Sequence, residues 1–282
     1  MQQIAPNVYV KSFYPGVNAG FICTAGGTVA VDAPPLPDDA RAWREQIERV
    51  AGAPIRWTIL TDHHPDRLLG VGWLGAPVIA GRGTLRRLQQ EPEDLWRTAT
   101  GELLQRRPDA KSLEAARLVL PRLAVDGRMT LYDEGGIIVE SIAGAAPGSI
   151  WVRLPDREVV FVGDTVVVGS HPFLAASPDT RAWLKTLVEM RRARFPAQLI
   201  VPGRGPACDK DGTRPLSDYI QVARRRIRSV HTAGGGRGDL IGLLVEFMAM
   251  FPVPEQEQEW VQQRVRTGLE HVYEQMRPEQ EE

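Results

Sequence analysis

The chain has 282 residues, enough to bury a substantial core, and its 43% hydrophobic and 24% charged content is that of a folded protein, which excludes disorder as the default. A formal net charge of -1 provides no field to draw nucleic acid or an anionic membrane, so neither is expected as a partner. Two cysteines, Cys23 and Cys208, are too few for a disulfide framework or a cysteine-based zinc module and are expected to be small buried residues.

From Val8 to Val31, short β-rich runs are broken at Pro15-Gly16, Asn18 to Gly20 and Gly26-Gly27, which predicts an antiparallel start. Ala40 to Val50 carries Trp43, Ile47 and Val50 at helical spacing, and "IRWTIL" then reads as a buried strand. Another strand, "APVIAG", precedes a segment from Leu85 to Pro121 rich in Leu, Arg, Glu and Gln, which predicts a mostly helical excursion suited to a lid. Strand signals return at Met129 to Tyr132, Ile137 to Ile142, Ser149 to Leu154 and "VVFVGD". Asp179 to Arg194 places Trp183, Leu187 and Met190 on one helical face, "AQLIVPGRG" is a strand ending in a turn, and Leu216 to Val230 is a further helix. "TAGGGRGD", residues 232 to 239, predicts a flexible joint to a C-terminal helical tail, with helices from Leu240 to Phe251 and Gln256 to Met276. The expected organisation is one domain over residues 1–232 and a helical extension over 233–282 that serves packing or homo-oligomerisation. No basic-then-apolar leader and no run of about 18 apolar residues is seen, which predicts a soluble cytoplasmic protein.

Three apolar strands finish on charged residues: "IRWTIL" on Thr61 to Arg67, "VVFVGD" on Asp164, and "AQLIVPGR" on Arg204. Loops beyond strand carboxyl ends converge in α/β proteins, so one ligand site could collect all three. His171, in "GSHPFL", falls on a loop near the same mouth and is a candidate acid/base or substrate contact, with a structural histidine equally compatible. His231 and His271 fall in helices and read as packing or surface residues. Ser149 and Ser170 lack a nucleophile-elbow context.

The ordered landmarks "VAVDAP", "TDHHPDRLLG", "AGAAPGSIWV", "VVFVGDTV" and "IVPGRGP", spread over most of Val8 to Pro206, resemble the metallo-β-lactamase superfamily. The resemblance implies an α/β fold, an αββα sandwich, here with a C-terminal helical extension outside the matched region. In active relatives the first loop reads T-H-x-H-x-D-H-x-x-G and helps to hold two zinc ions. With Thr61 and Gly70 in register, Asp62 stands where the first histidine belongs, His64 and Asp66 match, and Arg67 replaces the third histidine. His63 then occupies a position without a ligand role. Ala145 replaces the histidine of P-G-H-x-P-G-S, Asp164 matches the bridging aspartate, and Arg204 replaces the last histidine.

Four of seven ligand positions, Asp62, Arg67, Ala145 and Arg204, are therefore substituted. Alanine offers no donor, and a guanidinium has N–H groups but no available lone pair. The expectation is that Arg67 and Arg204 pair with Asp66 and Asp164 in place of a metal. Two functional readings follow. The preferred one is a degenerate family member with no cofactor, acting as a binding or assembly protein whose arginine-lined cleft favours an anionic small molecule. The alternative is a mononuclear hydrolase of esters or lactones with one zinc, iron or manganese ion on Asp62, His64 and Asp164, and with Asp66 or His171 moving protons.

Overall fold

The computed structural model describes residues 1–14, 16–107, 110, 113, 115–132 and 136–277. Seven strands form the first sheet, in the order β1 (Gln2–Ala5), β2 (Val8–Tyr14), β3 (Val17–Thr24), β4 (Gly27–Val31), β5 (Ile55–Leu60), β6 (Val78–Gly81) and β7 (Leu123–Val125). The first four pair antiparallel, as expected, and β4 through β7 pair parallel. The second sheet contains β8 (Arg128–Leu131), β9 (Ile137–Ser141), β10 (Ile150–Leu154), β11 (Val159–Phe161) and β12 (Leu199–Val201). It is antiparallel except for the β11–β12 pair.

Period-two alternation explains how the sheets stack, because neighbouring residues of one strand face opposite layers. Ile22 and Ile59 pack inward with Val139, Val152 and Phe161 of the other sheet, whereas Phe21 and Leu60 face helix α1 (Pro37–Ala51) on the outside. Trp43 and Ile47 of α1 are fully buried there, with the Trp43 ring edge-on to Phe21 at 5.6 Å, while Val50 stays exposed. The opposite outer face is covered by α5 (Thr180–Arg191) and α6 (Arg214–Thr232), whose Trp183, Leu187, Met190, Ile220 and Ile227 are completely buried. Asp179 caps α5 by accepting from the backbone N–H groups of Arg181 and Ala182, at 2.7 and 3.1 Å.

Three expectations need correction. Asn18 to Gly20 is not a break; it lies inside β3, where a Cβ on Gly20 would sit 2.3 Å from Phe161 Cε1, so this glycine provides clearance between the sheets. The helical excursion consists of α3 (Arg82–Gln90) and α4 (Pro92–Arg106) and stops at Arg106, with no long helix among the described residues before β7; residues 108–109, 111–112 and 114 lie outside the described set. The two cysteines are free and half-buried.

In the extension, α7 (Ile241–Met248) and α8 (Gln258–Gln275) follow a turn in which the Gly236 N–H donates to Asp239 Oδ2 at 2.8 Å. Leu244, Phe247, Val261, Val265, Leu269 and Val272 join the same buried cluster as α5 and α6. Gln275 of α8 also accepts from Thr180 Oγ1 at 2.8 Å, so the extension is packed onto the sandwich by apolar and polar contacts. No described helix is long and apolar enough to cross a membrane.

Candidate functional site

Loops following β4, β5, β9, β11 and β12 meet at one edge of the sandwich. The loop after β5 runs into the short helix α2 (Pro65–Leu68), which delivers Asp66 and Arg67 into the interior; both are 0% exposed. His64 stands just before it with Nδ1 3.3 Å from the Asp66 backbone N–H. The loop after β12 is tied to β3 by Asn18, whose Nδ2 donates to the Pro202 and Gly205 carbonyls at 2.8 and 2.7 Å, and this positions Arg204. Gly203 permits the close approach of that loop, since a Cβ there would lie 2.2 Å from Asp164 Oδ1.

The result is a buried cluster of alternating charge. Arg67 Nη1 donates to Asp32 Oδ2 at 3.1 Å and to Thr61 Oγ1 at 3.0 Å, and Nη2 donates to Asp164. Its Nε lies 3.1 Å from Asp62 Oδ1, an ion-pair contact without hydrogen-bond alignment. Arg204 reaches Asp164 Oδ2 at 2.9 Å, Asp66 Oδ2 at 3.2 Å and His64 Nε2 at 2.9 Å. Arg106, from α4, pairs with Asp66. Arg67 and Arg204 thus pair between them with Asp164 and Asp66, and Arg67 pairs in addition with Asp32 and Asp62, because α2 directs its side chain inward toward the end of β4.

The electrostatics follow from burial opposed by these contacts. Burial pushes the Asp164 carboxyl up, but Arg204 and Arg67 outweigh it and hold it well below the ordinary carboxylate range; for Asp66, Arg204 and Arg106 do the same. At Asp32 burial wins over Arg67, and the carboxyl is raised to about 6. Burial lowers the Arg67 and Arg204 guanidinium groups, yet their carboxylates raise both above the ordinary value. His64 is driven far down by burial and then by Arg204, so it stays neutral. A guanidinium only donates, so the imidazole nitrogen facing Arg204 accepts.

This donor set does not fit a zinc ion. A metal needs about four free lone-pair donors; the Asp164, Asp66 and His64 atoms facing the old position are engaged by Arg204 and Arg67, Asp62 Oδ1 also accepts from the His64 N–H at 2.9 Å, and Ala145 offers nothing. No group of three or more His, Cys, Asp or Glu with metal-holding geometry occurs among the described residues.

Asp62, His64, Asp66, Arg67, Ala145, Asp164 and Arg204 are all brought to this edge, and Asp62, His64, Ala145 and Asp164 line a cavity of about 350 Å³ together with Leu95, Pro147 and Phe173. His63 also lines it, with its buried Nδ1 lacking a hydrogen-bond partner among the described residues, although in register it had no ligand role. His171 is not among the lining residues. Its ring is buried edge-on against Tyr219 and Phe251, 5.7 and 5.4 Å away, which is the packing of a structural histidine. Residues missed in the sequence are Asp32, visible only as part of "VAVDAP", and Glu102, Arg106, Phe173, Trp260 and Arg264, which carry no local motif.

A model of the metallo-beta-lactamase superfamily matches residues 15–204, and the chain belongs to that superfamily. The fold is similar to that of a metallo-β-lactamase family protein from Thermus thermophilus, with TM-score 0.64, 18% identity, and coverage of 96% of this chain and 92% of that one. It also resembles metallo-β-lactamases from Pontibacter korlensis, with TM-score 0.62, 16% identity, and 78% and 97% coverage, and from Erythrobacter litoralis, with TM-score 0.59, 16% identity, and 78% and 95% coverage. The Thermus match spans so much of the chain that it includes most of the C-terminal extension.

Proposed function

We propose that this protein is a metallo-β-lactamase-fold member that works without the dinuclear zinc site of its relatives, as a binding or assembly protein with a small-molecule cleft. One observation carries the reading: Arg67 and Arg204 stand against the carboxylates that would otherwise hold metal, at the two positions where the family pattern has histidine. Two guanidinium groups supply the charge of a dication with directional N–H donors, and no water is activated by them. The cleft itself is retained, with a volume in the range of small-molecule sites and with mostly apolar walls.

The mononuclear alternative on Asp62, His64 and Asp164 has less support, because each of these residues already hydrogen-bonds or ion-pairs through the atoms that would ligate. Metal analysis of protein purified without added metal, together with an ester and lactone screen with and without chelator, tests the proposal. The expected result is substoichiometric metal and no chelator-sensitive turnover; stoichiometric metal with chelator-sensitive turnover overturns it. Restoring histidine at all four substituted positions (Asp62→His, Arg67→His, Ala145→His, Arg204→His) is expected to introduce zinc uptake, measured by equilibrium dialysis.

A further inference from the structure

Arg264, on α8, is 7% exposed, and its Nε and Nη2 have no hydrogen-bond partner among the described residues. Its guanidinium carbon lies 5.0 Å from the ring centres of both Phe173 and Trp260, so its flanks are aromatic. The group lines a cavity of about 360 Å³ with Glu102, Gln105, Gln263 and Thr267. This cavity shares His64, Glu102, Phe173 and Ala175 with the cleft beside Asp62 and Asp164, so the two are lobes of one site. A buried guanidinium with unmade hydrogen bonds is costly unless something completes them. Burial and the charge of Arg204 lower Arg264 to about 9, which leaves it cationic at neutral pH. Arg67, Arg106 and Arg204 are all held by aspartates, so the anion-reading charge of this cleft is not among them.

We infer that Arg264 is the anchor for the carboxylate head of a small organic acid whose apolar body lies in the adjoining lobe. The inference rests on the small-molecule reading above and deepens it by naming the ligand class and the residue that selects it. A guanidinium fork matches a carboxylate in bidentate fashion. Leu95, Ala145, Pro147 and Phe173 offer the second lobe's apolar wall, which suits an acyl or aryl chain. A monoanion is favoured over a phosphate dianion because Glu102 borders both lobes, Asp164 lines the cleft, and Asp66 lies 3.7 Å from His64 Nδ1. Burial raises the Glu102 carboxyl against the opposing pull of Arg264. The extension is therefore part of the site, contributing Trp260 and Arg264 to a cleft otherwise built by the sandwich.

Titration calorimetry of the full chain with sodium octanoate, with octylamine and inorganic phosphate as charge controls, tests this. One octanoate per chain is expected, with Arg264→Met weakening binding about tenfold or more and Arg264→Lys falling between. The Arg264 side-chain Nε–H resonance, assigned by comparison with Arg264→Lys, is expected to shift on adding octanoate, a readout that does not depend on the folding of the methionine variant. No octanoate binding, tighter binding of octylamine or phosphate, or an unmoved resonance overturns the inference. Undiminished binding by a folded Arg264→Met variant also overturns it, while leaving the metal-free cleft intact; stoichiometric metal in the purified protein sinks that earlier reading whatever Arg264 binds.

Discussion

Arg67→Met removes the cation at the centre of the cluster while keeping much of its aliphatic bulk. Asp32 and Asp62 ion-pair with Arg67 and with no other cation among the described residues, and Asp164 would be left to Arg204. Removing one partner of a buried pair costs about 3–5 kcal/mol, because the remaining charge is left uncompensated. Against a total stability of about 5–15 kcal/mol this is a large share. With about 2–4 °C per kcal/mol for a chain of this size, the melting temperature should fall by roughly 6–20 °C near neutral pH.

The pH dependence has a definite sign. Asp32 is raised in the folded wild type, from an ordinary 3.8 to about 6, so its contribution favours folding at low pH and is lost as pH rises through that window. Without Arg67 the burial of Asp32 is opposed only by its hydrogen bonds from Thr61, and the deficit of the variant should be largest above about pH 7 and shrink toward about pH 5. Melting followed by circular dichroism across that range measures it. A variant within about 2 °C of wild type near neutral pH, or a deficit that does not vary with pH, refutes the assignment of Arg67 as the neutralising charge.

Gly203→Ala should destabilise by about 1–3 kcal/mol in urea unfolding, because the new methyl would meet Asp164 Oδ1 at 2.2 Å and its backbone nitrogen at 2.6 Å; unchanged stability would mean that the β12 loop is not seated as described. His64 should show no protonation in an NMR titration down through its ordinary value of 6.5, since burial and Arg204 both oppose its charge. A lowered histidine makes folding stability fully present above that value and erodes it as pH drops below; titration at the ordinary value would contradict the contact with Arg204. The Asp66 and Asp164 contributions, held by their arginines, are lost at still lower pH, from about 4 downward, so acid unfolding should begin with His64 and steepen there.

The elements were legible in the chain because burial leaves a pattern, with "IRWTIL" an apolar run and Trp183, Leu187 and Met190 repeating at helical spacing, while the layered sandwich was implied by the resemblance of the ordered landmarks. The loss of ligand histidines was legible too, since "TDHHPDRLLG" and "IVPGRGP" can be set in register residue by residue. Which charges meet was not, because a salt bridge between Arg67 and Asp32 spans 35 positions and a hydrogen bond between Arg204 and His64 spans 140, and neither leaves a local pattern. The same holds for His171, whose loop passes near the cleft while its ring turns into the aromatic cluster of Tyr219 and Phe251. Arg264 is the clearest case: on a helical tail it reads as one of many surface arginines, and only the docking of α8 over Phe173 buries it beside the cleft without a hydrogen-bond partner for Nε and Nη2 among the described residues. Local order follows from periodicity along the chain, whereas the balance of buried charge depends on distances between segments that the folded packing sets.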